Sequence, residues 1–315
     1  MDDAFVSVII PVFNENSNIN ELYAQLLKVK NGRLKDMEIV FVDDGSTDGS
    51  IESLKKIAAG DKAVKVIVLN KNYGQTVALA AGIKNSKGSI IVTLDADLQN
   101  DPADIPLVIE NMTDEYDVVS GWRKHRKDPY LSKKLPSRIA NFFISLITGV
   151  KLHDFGCTLK AYRREFVEHL SIHGEMHRFL PAYCAWQGAN ITEIAVNHRP
   201  RVHGVSKYGL SRTFKVILDL MVVKFILSYI TKPVYVFGGV GLLAFLAGLA
   251  VNGFVIWRKI YEGGQWLSPL FFVGILFWTL AVICFLLGIL AEIIVRLYFE
   301  TRQYEIYKTR EKINI

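Results

Sequence analysis

Over the first 120 positions the apolar residues gather in short runs, separated by longer stretches with helical spacing. The runs are Val6–Val12, Glu38–Asp43, Val64–Leu69, Ser89–Asp95 and Asp117–Gly121, rich in Val and Ile. They lack the strict polar alternation of a half-exposed strand, so they suit strands covered on both faces, as in a parallel sheet. Helix start signals lie between them. Asp48 or Ser50 can cap a helix ending near Ala59, and Asp101-Pro102 opens one beginning near Ala103. Strands alternating with helices predict a doubly wound α/β sheet.

Beyond Trp122 the pattern changes. Arg123, Lys124, Arg126, Lys127, Lys133, Lys134 and Arg138 are opposed only by Asp128. Ile139, Phe142, Phe143, Leu146 and Ile147 then follow at one-face helical spacing, either as core or against an anionic membrane. A second basic stretch holds Arg199, Arg201, Lys207, Arg212 and Lys215. It leads into an amphipathic pattern over 213–231, read as an interfacial helix. Val234–Ile256 and Leu267–Val295 each exceed the roughly 20 residues that span about 30 Å of hydrocarbon. The organisation expected is a catalytic domain over 1–212, the interfacial helix, a transmembrane hairpin over 232–300 and a basic cytoplasmic tail over 301–315.

Arg258 and Lys259 are the basic residues of the short hairpin connection, and the outer flanks are far richer in Lys and Arg. The positive-inside rule puts both termini in the cytosol and the connection outside. The opening residues carry no signal-peptide pattern, which also predicts a cytosolic catalytic domain. Gly241 and Gly248 lie seven apart, as do Gly274, Ala281 and Gly288. Such stripes let helices approach closely, within the hairpin or between copies in a homo-oligomer.

The charge balance, 37 basic against 31 acidic residues, gives +6 and suits an anionic partner. The basic residues cluster beside the apolar runs, which favours membrane lipid or a phosphate substrate and disfavours nucleic acid. Cys157, Cys184 and Cys284 are widely spaced and odd in number, so neither a disulfide framework nor a zinc site is expected. No G-x-x-x-x-G-K-[ST] segment occurs, which argues against a P-loop kinase.

Three acidic clusters each end a strand pattern: Pro11-Val12-Phe13-Asn14-Glu15, Asp43-Asp44-Gly45-Ser46 and Asp95-Ala96-Asp97-Leu98-Gln99. In an α/β sheet the carboxyl ends of parallel strands share one rim, where ligands bind. Turn-forming residues alone would explain one such cluster, and three on one rim favour a site. Asp95-x-Asp97 can hold a divalent cation, Mg²⁺ or Mn²⁺, against a departing nucleoside diphosphate.

These PVFNE, VDDGSTDGS and LDADLQ segments resemble glycosyltransferase family 2, whose catalytic domain has the GT-A (Rossmann-like) α/β fold. The resemblance continues through Asn72-Tyr73-Gly74, Asp154-Phe155-Gly156-Cys157, Ala161-Tyr162-Arg163-Arg164, Ser206-Lys207-Tyr208 and the hairpin. The subgroup it resembles is the polyisoprenyl-phosphate glycosyltransferases, of bactoprenol glucosyltransferase, undecaprenyl-phosphate aminoarabinose transferase and dolichol-phosphate mannose synthase type. The resemblance implies an inverting transfer from a nucleotide-sugar, with UDP-glucose the mild preference, to an undecaprenyl or dolichyl phosphate. It assigns Pro11, Asn14, Glu15, Asp43 and Asp44 to the nucleoside pocket. Asp95 and Asp97, with Gln99 as a further ligand, go to metal and diphosphate. Asp154 falls near the sugar, and Arg123, Arg126, Arg138, Arg201 and Lys207 fall to the lipid phosphate. The Q-x-x-R-W motif of processive relatives is missing, Met176-His177-Arg178-Phe179 being the nearest segment, so polymer synthesis is not expected. The rival readings are transfer to a non-phosphorylated lipid or glycan, and a membrane scaffold that has lost its chemistry.

Overall fold

The computed structural model describes residues 5–124, 135–168, 176–200, 233–263, 268–300 and 309–314. They fall into two compact units, Met1–Val223 with Glu305–Ile315, and Lys224–Tyr304. In the first unit each apolar run forms a strand: β1 Val6–Val12, β2 Met37–Asp43, β3 Val64–Leu69, β4 Ile90–Thr93 and β5 Val118–Trp122. Helices α1 Asn16–Gly32, α2 Ser50–Gly60, α3 Gln75–Asn85 and α4 Ile105–Glu110 connect them. β1 pairs parallel with β2 and β4, and β2 with β3. Val8, Ile10, Ile39 and Phe41 pack on one face with Leu22, Leu26 and Leu54 of α1 and α2. Ile9, Val40, Val42 and Ile67 pack on the other with Ala78 and Ala81 of α3. Burial on both faces is why these strands read as continuous apolar runs. Only the second start signal caps as expected; at α2 the N-cap position is Gly49, left-handed at φ 90°, and neither Asp48 nor Ser50 occupies it. Asp48 Oδ1 accepts from the Ser50 N–H that opens α2. Asp101 accepts from Ala103 N and caps a 3-10 turn, Pro102–Asp104, that runs into α4.

The sheet is mixed rather than parallel throughout. Its order is β7-β5-β6-β4-β1-β2-β3-β8. β6, Lys160–Arg163, lies between β4 and β5 and antiparallel to both. β7, Ile191–Ala195, runs parallel to β5. α5, Leu135–Thr148, and α6, Leu180–Trp186, complete this part of the unit. Because β6 is reversed, it begins at the rim where β4 and β5 end.

Within the segment read as a basic tail, Thr309–Ile313 instead forms a strand, β8, antiparallel on β3. Lys55 and Glu311 form an ion pair there, and Asn314 Nδ2 donates to Ala58 O at 2.8 Å and Val64 O at 3.1 Å. On α5 the apolar face is not core: Phe142 and Leu146 are 64% and 67% exposed, while Ile144 is buried.

The second unit holds α7, Pro233–Glu262, and α8, Pro269–Glu300, both long and apolar enough to cross a membrane. The glycine stripes pack within this hairpin. A Cβ on Gly274 would lie 2.3 Å from Asn252 Oδ1, and one on Gly248 2.5 Å from Trp278 Cδ1. Gly241 approaches the Ala281 carbonyl, and Gly288 faces Phe237 and Val234. Leu243, Leu246, Leu276 and Leu286 stand exposed on its outer faces. The interfacial helix expected over 213–231 lies outside the described residues.

Candidate active site

The loops after β1, β2 and β3 are stitched together by the residues that the motifs singled out. Asn14 sits in the left-handed region at φ 56°. Its N–H donates to Ser46 Oγ at 2.9 Å, and its Oδ1 accepts from Thr47 N at 2.8 Å. Glu15 accepts from Asn18 Nδ2 at 2.6 Å, and Pro11 is half-buried on β1. Asp44 spans to the next loop, accepting from Tyr73 N at 2.7 Å and Gly74 N at 2.8 Å. At Gly45, φ is +76° and a Cβ would come within 2.7 Å of the Lys71 carbonyl carbon, so both backbone and space call for glycine.

Asp43 differs from its neighbour. Its Oδ2 accepts from Gly45 N and Ser46 N at 3.1 and 3.0 Å, while its buried Oδ1 has no hydrogen-bond partner among the described residues. Burial pushes its carboxyl up, the Ser46 and Gly45 donors pull it back, and the Asp48 charge adds to the rise. A buried acceptor left open in this way suits a ligand N–H.

Asp95, Asp97 and Gln99 follow β4 and line a cavity together with Arg123, Thr158 and Arg178. Leu98 between them is held at φ 60°, uncommon for leucine, with its side chain buried as an anchor. Gln75 Nε2 donates to Asp95 Oδ1 at 2.6 Å, and Asp97 Oδ1 accepts from Gln99 N at 3.1 Å. The segment after β7 grips this loop from outside. Arg199 N donates to Gln99 O at 2.8 Å, His198 bridges to Asn100, and the Arg199 guanidinium pairs with Asp101. Burial and then the Asp97 charge push Asp95 up to about 7, with Thr158, Arg123 and Arg178 pulling the other way.

Two neighbouring carboxylates that repel one another, plus an amide oxygen, are a hard oxygen set for a divalent cation. No cluster of three His, Cys, Asp or Glu forms among the described residues. A cation such as Mg²⁺ is commonly held by one or two carboxylates with substrate phosphates filling other positions. The residues present therefore fit the metal that the resemblance implies.

Arg123, at the end of β5, is clamped to Asp154. Its Nε donates to Oδ2 at 2.7 Å and its Nη2 to Oδ1 at 2.9 Å. Asp154 also accepts from Arg123 N at 3.3 Å and Gly156 N at 3.1 Å. Two residues that the resemblance gave to acceptor and sugar are thus one unit. Arg138 stands exposed on α5, while Arg126, Arg201 and Lys207 lie outside the described residues. The cavity also brings in Lys160 on β6 and His177 with Arg178, none of which the motifs assigned. His177 Nδ1 lies 2.8 Å from Thr76 Oγ1, which ties its segment to the start of α3. The sequence signal for this pair was only the segment standing in place of Q-x-x-R-W.

The chain matches the family described as Glycosyl transferase family 2 over residues 7–171. It is 40% identical over 304 residues to the dodecaprenyl-phosphate galacturonate synthase of Rhizobium johnstonii, covering 93% of this chain and 88% of the relative. It is 37% identical over 300 residues to the undecaprenyl-phosphate 4-deoxy-4-formamido-L-arabinose transferase of Pseudomonas paraeruginosa, covering 94% and 87%. Among solved structures, the glucosyl-3-phosphoglycerate synthase of Mycobacterium tuberculosis in complex with Mn²⁺ and UDP-glucose has a TM-score of 0.56. The match covers 70% of this chain and 79% of that one at 16% identity, a likeness of fold. By motifs, sheet and sequence likeness, this chain belongs to glycosyl transferase family 2 and carries its catalytic domain on a GT-A fold.

Proposed function

We propose that the chain transfers a sugar from a UDP-linked donor to a polyisoprenyl phosphate at the cytoplasmic face of a bacterial inner membrane, with inversion at the anomeric carbon. The observation that carries this reading is one rim holding Asp43, Asp95, Asp97 and the Arg123–Asp154 clamp, in a chain that also has a membrane-class hairpin. The names of the two relatives, which specify polyprenyl phosphates, support it.

The open oxygen of Asp43 accepts an N–H of the base. Asp95 and Asp97 would hold the cation, and Gln75 fixes the Asp95 carboxylate. A bound divalent cation neutralises charge that develops on the leaving diphosphate. Asp154 aims the Arg123 guanidinium, whose planar fork suits phosphate oxygens. A phosphate monoester carries about −1.5 to −2 charge at pH 7. It attacks without a protein base, so Asp154 acts by orientation rather than by taking a proton. Arg126, Arg138, Arg201 and Lys207 are the further residues for the lipid phosphate.

The cytosolic placement of both termini gains support from β8, which lies after the hairpin and pairs within the sheet that precedes it. The exposed apolar side chains on α5, beside Arg138, suit contact with the same membrane surface. The glucose preference rests on the resemblance alone, and the two relatives are named for a uronic acid and a formamido sugar.

The test uses purified full-length protein with Mg²⁺ or Mn²⁺, a UDP-sugar panel, and polyprenyl phosphate against the free polyprenol. Transfer to the phosphate with little to the alcohol is expected. Equal rates on the two lipids, or transfer only to a glycan, would overturn the reading.

A further inference from the structure

The reaction just outlined leaves one buried cation without a task. Lys160 opens β6, is 3% exposed, and pairs in register with Thr93 of β4 and Ser120 of β5. It therefore sits at the rim end of the central sheet, on the strand beside the one that leads into Asp95. Its Nζ donates to the Phe155 carbonyl at 2.9 Å, and no carboxylate pairs with it among the described residues. An ammonium has three N–H donors, and burying one without a counter-charge is costly. Burial holds its pKa down, to about 8. Cys157 and Asp154 oppose that fall, and the Arg123 and Arg178 charges add to it.

The groups beside it are also incomplete. Tyr162 lies two residues along the same strand and so on the same face. It lines the same cavity, is 1% exposed, and its hydroxyl has no hydrogen-bond partner among the described residues. Ser120, the register partner of Lys160, is fully buried, and its Oγ also has none among the described residues. Arg123 is matched by the Asp154 carboxylate, whereas Lys160 is matched only by a neutral carbonyl. The cavity lining thus offers an ammonium that no carboxylate matches among the described residues, with the Tyr162 hydroxyl beside it.

We propose that Lys160 and Tyr162 recognise a carboxylate on the transferred sugar, so that the preferred donor is a nucleotide-linked uronic acid rather than a neutral hexose. This rests on the reading of the chain as a nucleotide-sugar transferase. A carboxylate supplies the missing counter-charge and accepts from both the ammonium and the phenol. A neutral hydroxymethyl group in its place leaves the ammonium unmatched. Sites built around buried polar groups reject analogues that lack the partner by large factors, so a preference of at least about 100-fold in kcat/KM is expected. The donor diphosphate is the other anion within the same pocket, but it is common to every donor and cannot produce that preference.

The experiment compares UDP-galacturonate and UDP-glucuronate with UDP-galactose and UDP-glucose on the full-length protein. Transfer to polyprenyl phosphate is measured alongside calorimetric binding of each donor and of UDP. The wild type should favour a uronate, and Lys160→Met should abolish the preference by lowering uronate kcat/KM at least about 100-fold, while UDP still binds. Tyr162→Phe should reduce the preference in part, and Lys160→Arg should retain some of it. Equal or better use of the neutral sugars by the wild type overturns the proposal, whatever the variants do. A uniform loss of all donors and of UDP in Lys160→Met also overturns it, assigning the lysine to the diphosphate. If no donor reaches polyprenyl phosphate, the function proposed above fails on its own, and the binding preference still decides the role of Lys160.

Discussion

Asp154→Asn separates an orienting carboxylate from a catalytic base. Oδ2 accepts from Arg123 Nε at 2.7 Å and Arg123 N at 3.3 Å, and Oδ1 accepts from Arg123 Nη2 at 2.9 Å and Gly156 N at 3.1 Å. Asparagine keeps the shape but turns one oxygen into an NH₂. In either amide orientation that NH₂ faces one guanidinium N–H and one backbone N–H, so two accepted bonds are lost. A bond to a charged group is worth about 1.5–3 kcal/mol and a neutral one about 0.5–1.5 kcal/mol. The loss is then about 3 kcal/mol, or roughly 100-fold at 1.36 kcal/mol per tenfold.

If Asp154 works by aiming Arg123, kcat/KM for transfer to polyprenyl phosphate should fall by that order. The Asp154→Asn and Arg123→Met pair should also be far less harmful together than the product of the single losses. The assay is label transfer in detergent or nanodiscs, with thermal unfolding run in parallel to set a temperature where all variants are folded. Activity within threefold of wild type would refute the reasoning. So would multiplicative losses in the double variant. Recovery of Asp154→Asn activity with rising pH, in step with acceptor deprotonation, would make Asp154 a base.

Asp97→Ala should lower turnover by about 10²–10³-fold and raise the metal concentration needed for half-activity, since charge on the leaving diphosphate loses its partner; near-normal rates in metal-free buffer would contradict this. Glu38 is buried with Ser7 Oγ and Lys87 N each at 2.5 Å and Lys65 Nζ at 2.7 Å. Burial alone would raise its pKa, but the Lys65, Ser7 and Lys87 partners outweigh it and lower the pKa below 4.5. Such a group stabilises the fold above its unfolded pKa and stops doing so as pH falls through the folded one. The stability gap between wild type and Glu38→Gln should therefore be full at pH 7 and close only below about 4.5, and a gap constant down to pH 3 would be the contrary result. Gly274→Val should destabilise the hairpin by about 1–3 kcal/mol through the clash with Asn252, whereas Gly238→Val, with open space at its Cβ, should not; equal effects in unfolding assays would count against the packing. A cysteine placed at Gly263 should react with an impermeant thiol reagent from outside the cell, and labelling only after permeabilisation would reverse the proposed topology.

The strands and rim motifs were legible because each carries a local signal. An all-apolar run of Val and Ile has few fates other than a strand covered on both faces, and acidic residues directly after it fall at the rim. Pairings across the chain had no such signal. Arg123 reads as one of many basic residues until β5 and the 154–157 loop bring it against a carboxylate 31 positions away. Lys160 sits in a four-residue strand with Lys and Arg at its ends, too short and polar for periodicity to detect. Its presence in the cavity follows only from the insertion of β6 between β4 and β5. Asp43 and Asp44 are adjacent and alike in sequence. Strand geometry gives one an open oxygen in the site and turns the other into a brace for the next loop.

The edge of the sheet shows how such a gap can be reasoned across. Val64, Val66, Ile67, Val68 and Leu69 of β3 are all at most 1% exposed. In the run β4-β1-β2-β3, a strand of this composition would stand last, with its backbone donors and acceptors open to pairing with another chain. An apolar strand does not tolerate that position well, so the sheet requires a further partner. The sequence Thr309-Arg310-Glu311-Lys312-Ile313 supplies it, and its charges suit the new edge while only Ile313 packs against the core. The same polarity hid the strand, because a charged five-residue segment after a hydrophobic hairpin reads as a solvated tail. The apolar character of β3 was therefore the better clue to β8 than anything in β8 itself.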